Sequence, residues 1–147
     1  MGSICWKSLT MDKKIASFHV LKVFGDQRGE LVPIEFSELP FNPRRIYLIR
    51  NTSLDVKRGQ HAHKNLKQLL VCLSGTFTLT LDDGSKREVY EMSKSHPGII
   101  LDGIVWRELS NFSENCVVLV FADQPYSEQD YIRAYDDFLK VKNNDCI

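Results

Sequence analysis

Several things are missing from this 147-residue chain, and each absence removes a class of function. Neither sign of charge is in excess, since 19 Lys and Arg face 19 Asp and Glu. With no net field to draw it to phosphate backbones or anionic lipid, neither nucleic acid nor a membrane is expected as a partner. No apolar run approaches the roughly 20 residues that span a bilayer. The four cysteines, Cys5, Cys72, Cys116 and Cys146, show no CxxC spacing. Cys72 and Cys116 sit in apolar runs and read as small core residues, not ligands or nucleophiles. Residues 1–6 lack the cationic and apolar regions of a signal peptide, and Trp6 stands where a myristoylation signal has Ser or Thr. A reducing cytoplasm is the expected compartment.

What is present is a series of short strand patterns broken by turns, the pattern of a sandwich or barrel. Strands are expected over 15–24, 30–36, 45–51, 60–63, 68–73, 76–82, 86–91, 98–101, 105–110 and 116–122. In 76–82, Phe77, Leu79 and Leu81 alternate with threonines, as in a strand with one buried face. Asp83-Gly84 then supplies a hairpin turn. From Ser127 onward the spacing of Tyr131, Ile132, Tyr135, Phe138 and Leu139 predicts one amphipathic helix, with Ser127 as its cap. The expected fold is all-β with a short C-terminal α-helix. Residues 1–11 read as an extension, disordered or from an upstream start with Met11 as the alternative, and 12–147 as one domain.

Half of the four histidines are concentrated in Arg58-Gly59-Gln60-His61-Ala62-His63. Two residues apart on an extended strand, His61 and His63 lie on the same face. The segment resembles the first motif of a cupin (jelly-roll) barrel, where such a pair joins a Glu and a third His around a metal. Here Gln68 takes the place of the Glu, Gly75 closes the motif, and Trp106 falls where the third His belongs, after Gly103. A neutral amide is a poor carboxylate substitute and an indole offers no lone pair, so a metal is poorly provided for. His96 becomes a ligand only if the loop before Pro97-Gly98 folds inward. The pair suits proton transfer instead, since imidazoles titrate near neutrality.

The same segment, Arg58 to Lys64, is similar to the RGxHAHK signature of the dTDP-sugar 3,4-ketoisomerases. Leu73-Ser74-Gly75, Leu81-Asp82-Asp83-Gly84, Trp106-Arg107-Glu108-Leu109 and the stretch 130–139 extend the resemblance over residues 12–142. Membership implies a cupin without metal or other cofactor. Its substrate would be a dTDP-linked keto sugar, dTDP-4-keto-6-deoxy-D-glucose, whose carbonyl moves from C4 to C3 through an enediol or enediolate. It also implies a homodimer with exchanged N-terminal strands, to which the strand-rich region 15–36 lends itself.

On this reading His61 and His63 transfer protons, with the direction between them open, and Tyr47 matches an active-site tyrosine of the family. Arg58 is a candidate for the sugar oxygens or the diphosphate, where a guanidinium fork suits oxyanions. Arg28, in the turn 26–29, is a weaker candidate for the phosphates. Trp106 and Arg107 are candidates to line the pocket, Trp106 with plain core as its alternative. Gln68 is expected to hold a catalytic histidine by a hydrogen bond. Arg44, Arg45 and Arg50 flank Tyr47 and read as a solvated edge, with phosphate binding as the alternative. Three other readings stay open: a dTDP-4-keto-6-deoxysugar epimerase, expected to rely on a His–Asp dyad, a non-catalytic sugar-nucleotide-binding cupin, and a metal-dependent cupin enzyme.

Overall fold

The computed structural model describes residues 13–144. The extension 1–11, with Cys5 and Met11, and Cys146 lie outside the described residues. In chain order the strands are β1 (Ser17–His19), β2 (Phe24–Asp26), β3 (Gly29–Leu31), β4 (Arg45–Ile49), β5 (Arg58–His63) and β6 (Gln68–Ser74). Then follow β7 (Thr76–Asp82), β8 (Arg87–Ser93), β9 (Gly98–Leu101), β10 (Trp106–Ser110), β11 (Val117–Ala122), β12 (Tyr131–Ile132) and the helix α1 (Tyr135–Asn144).

The strands form two five-stranded antiparallel sheets, ordered β1-β9-β6-β11-β4 and β12-β5-β10-β7-β8, plus the small β2–β3 ribbon. This is the all-β architecture with a C-terminal helix that the strand spacing suggested, in the jelly-roll form that the cupin resemblance implied. Between the sheets lies the main core, which includes Phe77, Leu79, Leu81, Met92, Ile99, Val118 and Val120. Phe77, Leu79 and Leu81 alternate into the core as expected in 76–82, although on the other face Thr78 is buried as well and Thr80 half-buried, and Asp83-Gly84 turns β7 into β8. Cys72 and Cys116 belong to the same core, where burial pushes the Cys72 thiol up to about 12 and makes it a poor nucleophile.

The N-terminal third departs from expectation. The strand expected over 15–24 is present only as β1 and the start of β2, and 30–36 only as β3. Pro33 has no amide hydrogen for a ladder, and residues beyond it serve a different purpose. Leu21, Ile34, Leu39 and Phe41 cover the outer face of the first sheet against Leu69, Val71, Ile100 and Phe121.

The C-terminal helix also starts later than predicted. Ser127 makes no side-chain cap and precedes a 3₁₀ turn at Glu128–Asp130. Tyr131 and Ile132 then pair with His63 and Ala62 as β12. Period two, not 3.6, governs this pair: Ile132 packs with Ala62 and Phe138 in a third cluster, while Tyr131 turns to the histidines. Helix α1 begins at Tyr135, whose hydroxyl donates to Asp82 Oδ2 over 2.7 Å and ties the helix to β7.

Candidate active site

The site begins with a bulge in β5. Arg107 pairs with His61 and Glu108 with Gly59, so Gln60 is skipped. Gly59 and Gln60 both adopt positive φ, 80° and 53°. A Cβ on Gly59 would come 2.8 Å from the Arg107 carbonyl, so glycine is what lets β5 and β10 approach here. The bulge also changes side-chain phase. Arg58 and His61, three residues apart, would face opposite ways on a regular strand. Here both line the same cavity of about 210 Å³ with Tyr47, Gln68, Arg107 and Tyr131.

His61, which lines that cavity, meets His63, which lines a neighbouring cleft: their Nε2 atoms are 3.1 Å apart and their rings nearly perpendicular. His61 Nδ1 faces the Gly59 carbonyl at 2.9 Å, and His63 Nδ1 faces Asp130 Oδ2 at 3.0 Å. Both outer partners accept, so both rings carry hydrogen on Nδ1 and turn Nε2 lone pairs toward one another. Burial, then the nearby Arg107 charge, holds His61 down to about 4 and His63 down to about 3. The resting pair is therefore uncharged at neutral pH. An incoming proton would fill the gap between the two lone pairs, with Asp130 balancing its charge. Tyr131 lies against both rings, centroids 4.8 and 4.3 Å away, under the Arg133 guanidinium at 4.1 Å.

Asp130 is itself fixed. Its second carboxylate oxygen accepts from Asn65 N at 2.8 Å, and its carbonyl accepts from Lys64 N at 2.9 Å. Both donors are backbone groups just beyond β5, so the carboxylate is locked to the strand that carries the histidines.

Arg107 is completely buried. Its Nη2 donates to the Val105 carbonyl at 2.8 Å and Nη1 to Gln68 Oε1. No ion pair to Arg107 forms among the described residues, and burial draws its guanidinium down to about 10, still cationic at neutrality. Gln68 does not hold a histidine as expected; it bridges Arg107 and Tyr47, whose hydroxyl is 2.8 Å from Gln68 Nε2. The amide spans the barrel and falls short of the imidazoles.

Two further expectations are corrected. Trp106 turns away from the cavity onto Tyr135 and Phe138, with centroids at 5.3 and 5.8 Å, because neighbours on a strand face opposite sides and Arg107 takes the inner one. Arg28 pairs with Asp26 inside its own exposed turn and does not reach the histidines within the chain. His96 packs on Phe18 and Tyr90, its Nδ1 at the Pro97 carbonyl, apart from the pair. Among the described residues no three His, Cys, Asp or Glu gather as a metal would require.

Three further residues complete the site. Asp130 and Tyr131 fall in the stretch that helical spacing assigns to a helix; the period-two pairing of Tyr131 and Ile132 is the signal against it. Arg45 is not a solvated edge. It lies over Tyr47 and Tyr126, 5.3 and 5.7 Å from their centroids, and its buried Nε has no hydrogen-bond partner among the described residues. It lines both the inner cavity and an outer cleft of about 460 Å³ formed with Tyr126, Gln129 and Tyr131. Inward-facing Arg45, Tyr47 and Ile49 alternate on β4, which was the overlooked cue.

Comparison with known proteins places the chain. Residues 11–143 match the WxcM-like, C-terminal family (FdtA). It belongs to that family. The TDP-4-oxo-6-deoxy-alpha-D-glucose-3,4-oxoisomerase of Aneurinibacillus thermoaerophilus is 41% identical over 131 residues, 88% of this chain and 92% of the relative. A mutant of the 3,4-ketoisomerase QdtA from Thermoanaerobacterium thermosaccharolyticum, solved with TDP-4-keto-6-deoxyglucose, superposes with a TM-score of 0.85 at 34% identity, covering 88% and 95% of the two chains. A 3,4-ketoisomerase from Helicobacter canadensis gives 0.83 at 36%, covering 87% and 97%. A dTDP-4-dehydrorhamnose 3,5-epimerase from Bacillus anthracis shares only the fold, at 16% identity and a TM-score of 0.67. His63 and Asp130 form a His–Asp pair of the kind expected of an epimerase; what separates the two families here is sequence identity, 41% to the oxoisomerase against 16% to the epimerase.

Proposed function

We propose that this chain is a dTDP-sugar 3,4-ketoisomerase acting on dTDP-4-keto-6-deoxy-D-glucose, with residues 12–147 as one cupin unit. The observation that carries the reading is the facing Nε2 pair of His61 and His63, with His61 lining a cavity that also holds the buried Arg107 guanidinium, which has no ion pair among the described residues. The 41% identity to a named 3,4-oxoisomerase supports the reaction class.

The chemistry follows from what the cavity supplies. His61 lines it, whereas His63 is 2% exposed and borders the outer cleft instead. His61 Nε2 removes the proton on C3, made acidic by the C4 carbonyl. The electron pair forms the C3=C4 double bond, and negative charge develops on O4. Arg107 and Tyr47 stabilise that oxygen, as preorganised donors do where charge appears. O4 takes up a proton and the O3 hydroxyl releases one. The C=C electrons then accept a proton at C4 while the C3 carbonyl forms. The formula is unchanged, and no hydride carrier is required. His63 and Asp130 hold the travelling proton and balance its charge.

Arg58 and Arg45 flank the opening and suit the diphosphate; the unpaired Nε of Arg45 is a donor without an acceptor. The sequence carries no surplus charge for nucleic acid or membrane, and a cytoplasmic setting fits a nucleotide-sugar substrate. We also infer a homodimer with exchanged N-terminal strands. The β2–β3 arm carries Phe24 and Leu31, 60% and 67% exposed, which a partner would cover. Arg28 would reach an active site only through such an exchange.

The test is NMR of the protein with dTDP-4-keto-6-deoxyglucose in D2O. A 3-keto sugar with deuterium at C4 is the expected product. Exchange at C3 and C5 without carbonyl migration would indicate an epimerase. Unchanged substrate despite nucleotide binding would indicate a binding protein.

A further inference from the structure

Gln68 stands where a metal-binding cupin has a carboxylate, and its amide is oriented without ambiguity. Arg107 has only donors, so the oxygen of Gln68 must face it. The amide nitrogen therefore faces Tyr47 and donates to the phenol oxygen over 2.8 Å. With that lone pair occupied, the hydroxyl hydrogen of Tyr47 points elsewhere. The space beside it is the cavity shared with His61.

We infer that Gln68 is a positioning residue that makes Tyr47 an obligatory hydrogen-bond donor into the cavity while leaving the Arg107 charge uncancelled. Resting on the ketoisomerase reading, this explains why a neutral amide occupies the position. A carboxylate there would accept from both neighbours. It would neutralise the guanidinium and turn the Tyr47 hydroxyl back on itself, removing both groups that face the developing oxyanion. The amide is 2% exposed, so water does not substitute for it.

Gln68→Glu makes a specific test, because a protonated carboxyl reproduces the amide: its carbonyl accepts from Arg107 and its O–H donates to Tyr47. The charged and titratable groups around the position are Arg45 and Tyr47 from β4, Arg58 and His61 from β5, Arg107 from β10 and Tyr131 from β12. The ratio of kcat in the variant to kcat in the wild type is taken at each pH, with His61 titrated by NMR in both proteins, because a neutralised Arg107 would no longer hold His61 down. At neutral pH, kcat of Gln68→Glu should fall about 100-fold, within the range for removing one oxyanion donor, with KM changed less than threefold. The ratio should recover as pH falls. Gln68→Met, which can do neither task, should show a loss that is flat with pH. dTDP binding within threefold of wild type establishes that each variant folds. Near-wild-type kcat for Gln68→Glu at neutral pH, or a deficit as flat as that of Gln68→Met, would overturn the assignment.

A second readout needs no turnover, and so stays informative if the proposed reaction fails. In ¹⁵N–¹H spectra the Gln68 side-chain NH2 signals, identified by their loss in Gln68→Met, should shift in Tyr47→Phe. Unmoved signals would contradict the Gln68–Tyr47 bond.

Discussion

His63 Nδ1 lies 3.0 Å from Asp130 Oδ2, a contact made across 67 residues of chain. Replacing Asp130 by Asn keeps the shape and inverts the polarity. Asn65 N already donates to the other oxygen, Oδ1, so an amide would keep its oxygen there and present NH2 to His63. The ring would then carry its hydrogen on Nε2 and donate it to His61 Nε2, occupying the lone pair that must accept the C3 proton. Asp130→Asn should lower kcat about 100-fold, the low end for a displaced acid–base group, without weakening dTDP binding. Steady-state kinetics beside a dTDP titration reads both effects.

The depressed imidazoles also set a pH dependence of stability. In the unfolded chain both titrate near 6.5, whereas folding holds His61 to about 4 and His63 to about 3. Below pH 6.5 the unfolded state binds more protons, so their contribution is whole above that pH and is lost as pH falls toward 4. Melting curves should show Tm falling by roughly 5–10 °C between pH 7 and 5.5, from a linkage slope of about 1.4 kcal/mol per proton and pH unit acting on both imidazoles. A double His61→Asn, His63→Asn variant should lose most of this slope.

Arg45 offers a separable effect. Its guanidinium stands over two tyrosines at the rim and does not touch the histidine pair. Arg45→Met should weaken dTDP binding by about ten- to a hundredfold, as expected for a charge-assisted bond of roughly 1.5–3 kcal/mol. It should change kcat little. Calorimetric titration with dTDP beside thymidine locates the effect: the nucleoside, lacking phosphates, should bind both proteins alike.

How far the sequence reaches is clear from individual residues. Phe77, Leu79 and Leu81 announced their strand because one face of β7 meets the core and the other does not. His61 and His63 announced a shared face for the same reason. The bulge at Gly59-Gln60 was not legible, since it arises from the meeting of β5 with β10, and with it went the turn of Arg58 into the cavity. Asp130 and Tyr131 were hidden by an accident of spacing: Tyr131, Ile132, Tyr135 and Phe138 fit a helical stripe, although two of the four are strand residues. Gln68 was recognised as important and given the wrong neighbour, because a side chain's partner across a barrel is set by sheet order, which no local pattern carries.

The most direct measurement is turnover of His61→Asn and His63→Asn beside the wild type, with dTDP affinity measured on the same samples. If the facing imidazoles move the proton, each replacement lowers kcat by about two to four orders of magnitude, with nucleotide affinity preserved. Near-wild-type turnover in both variants would contradict it.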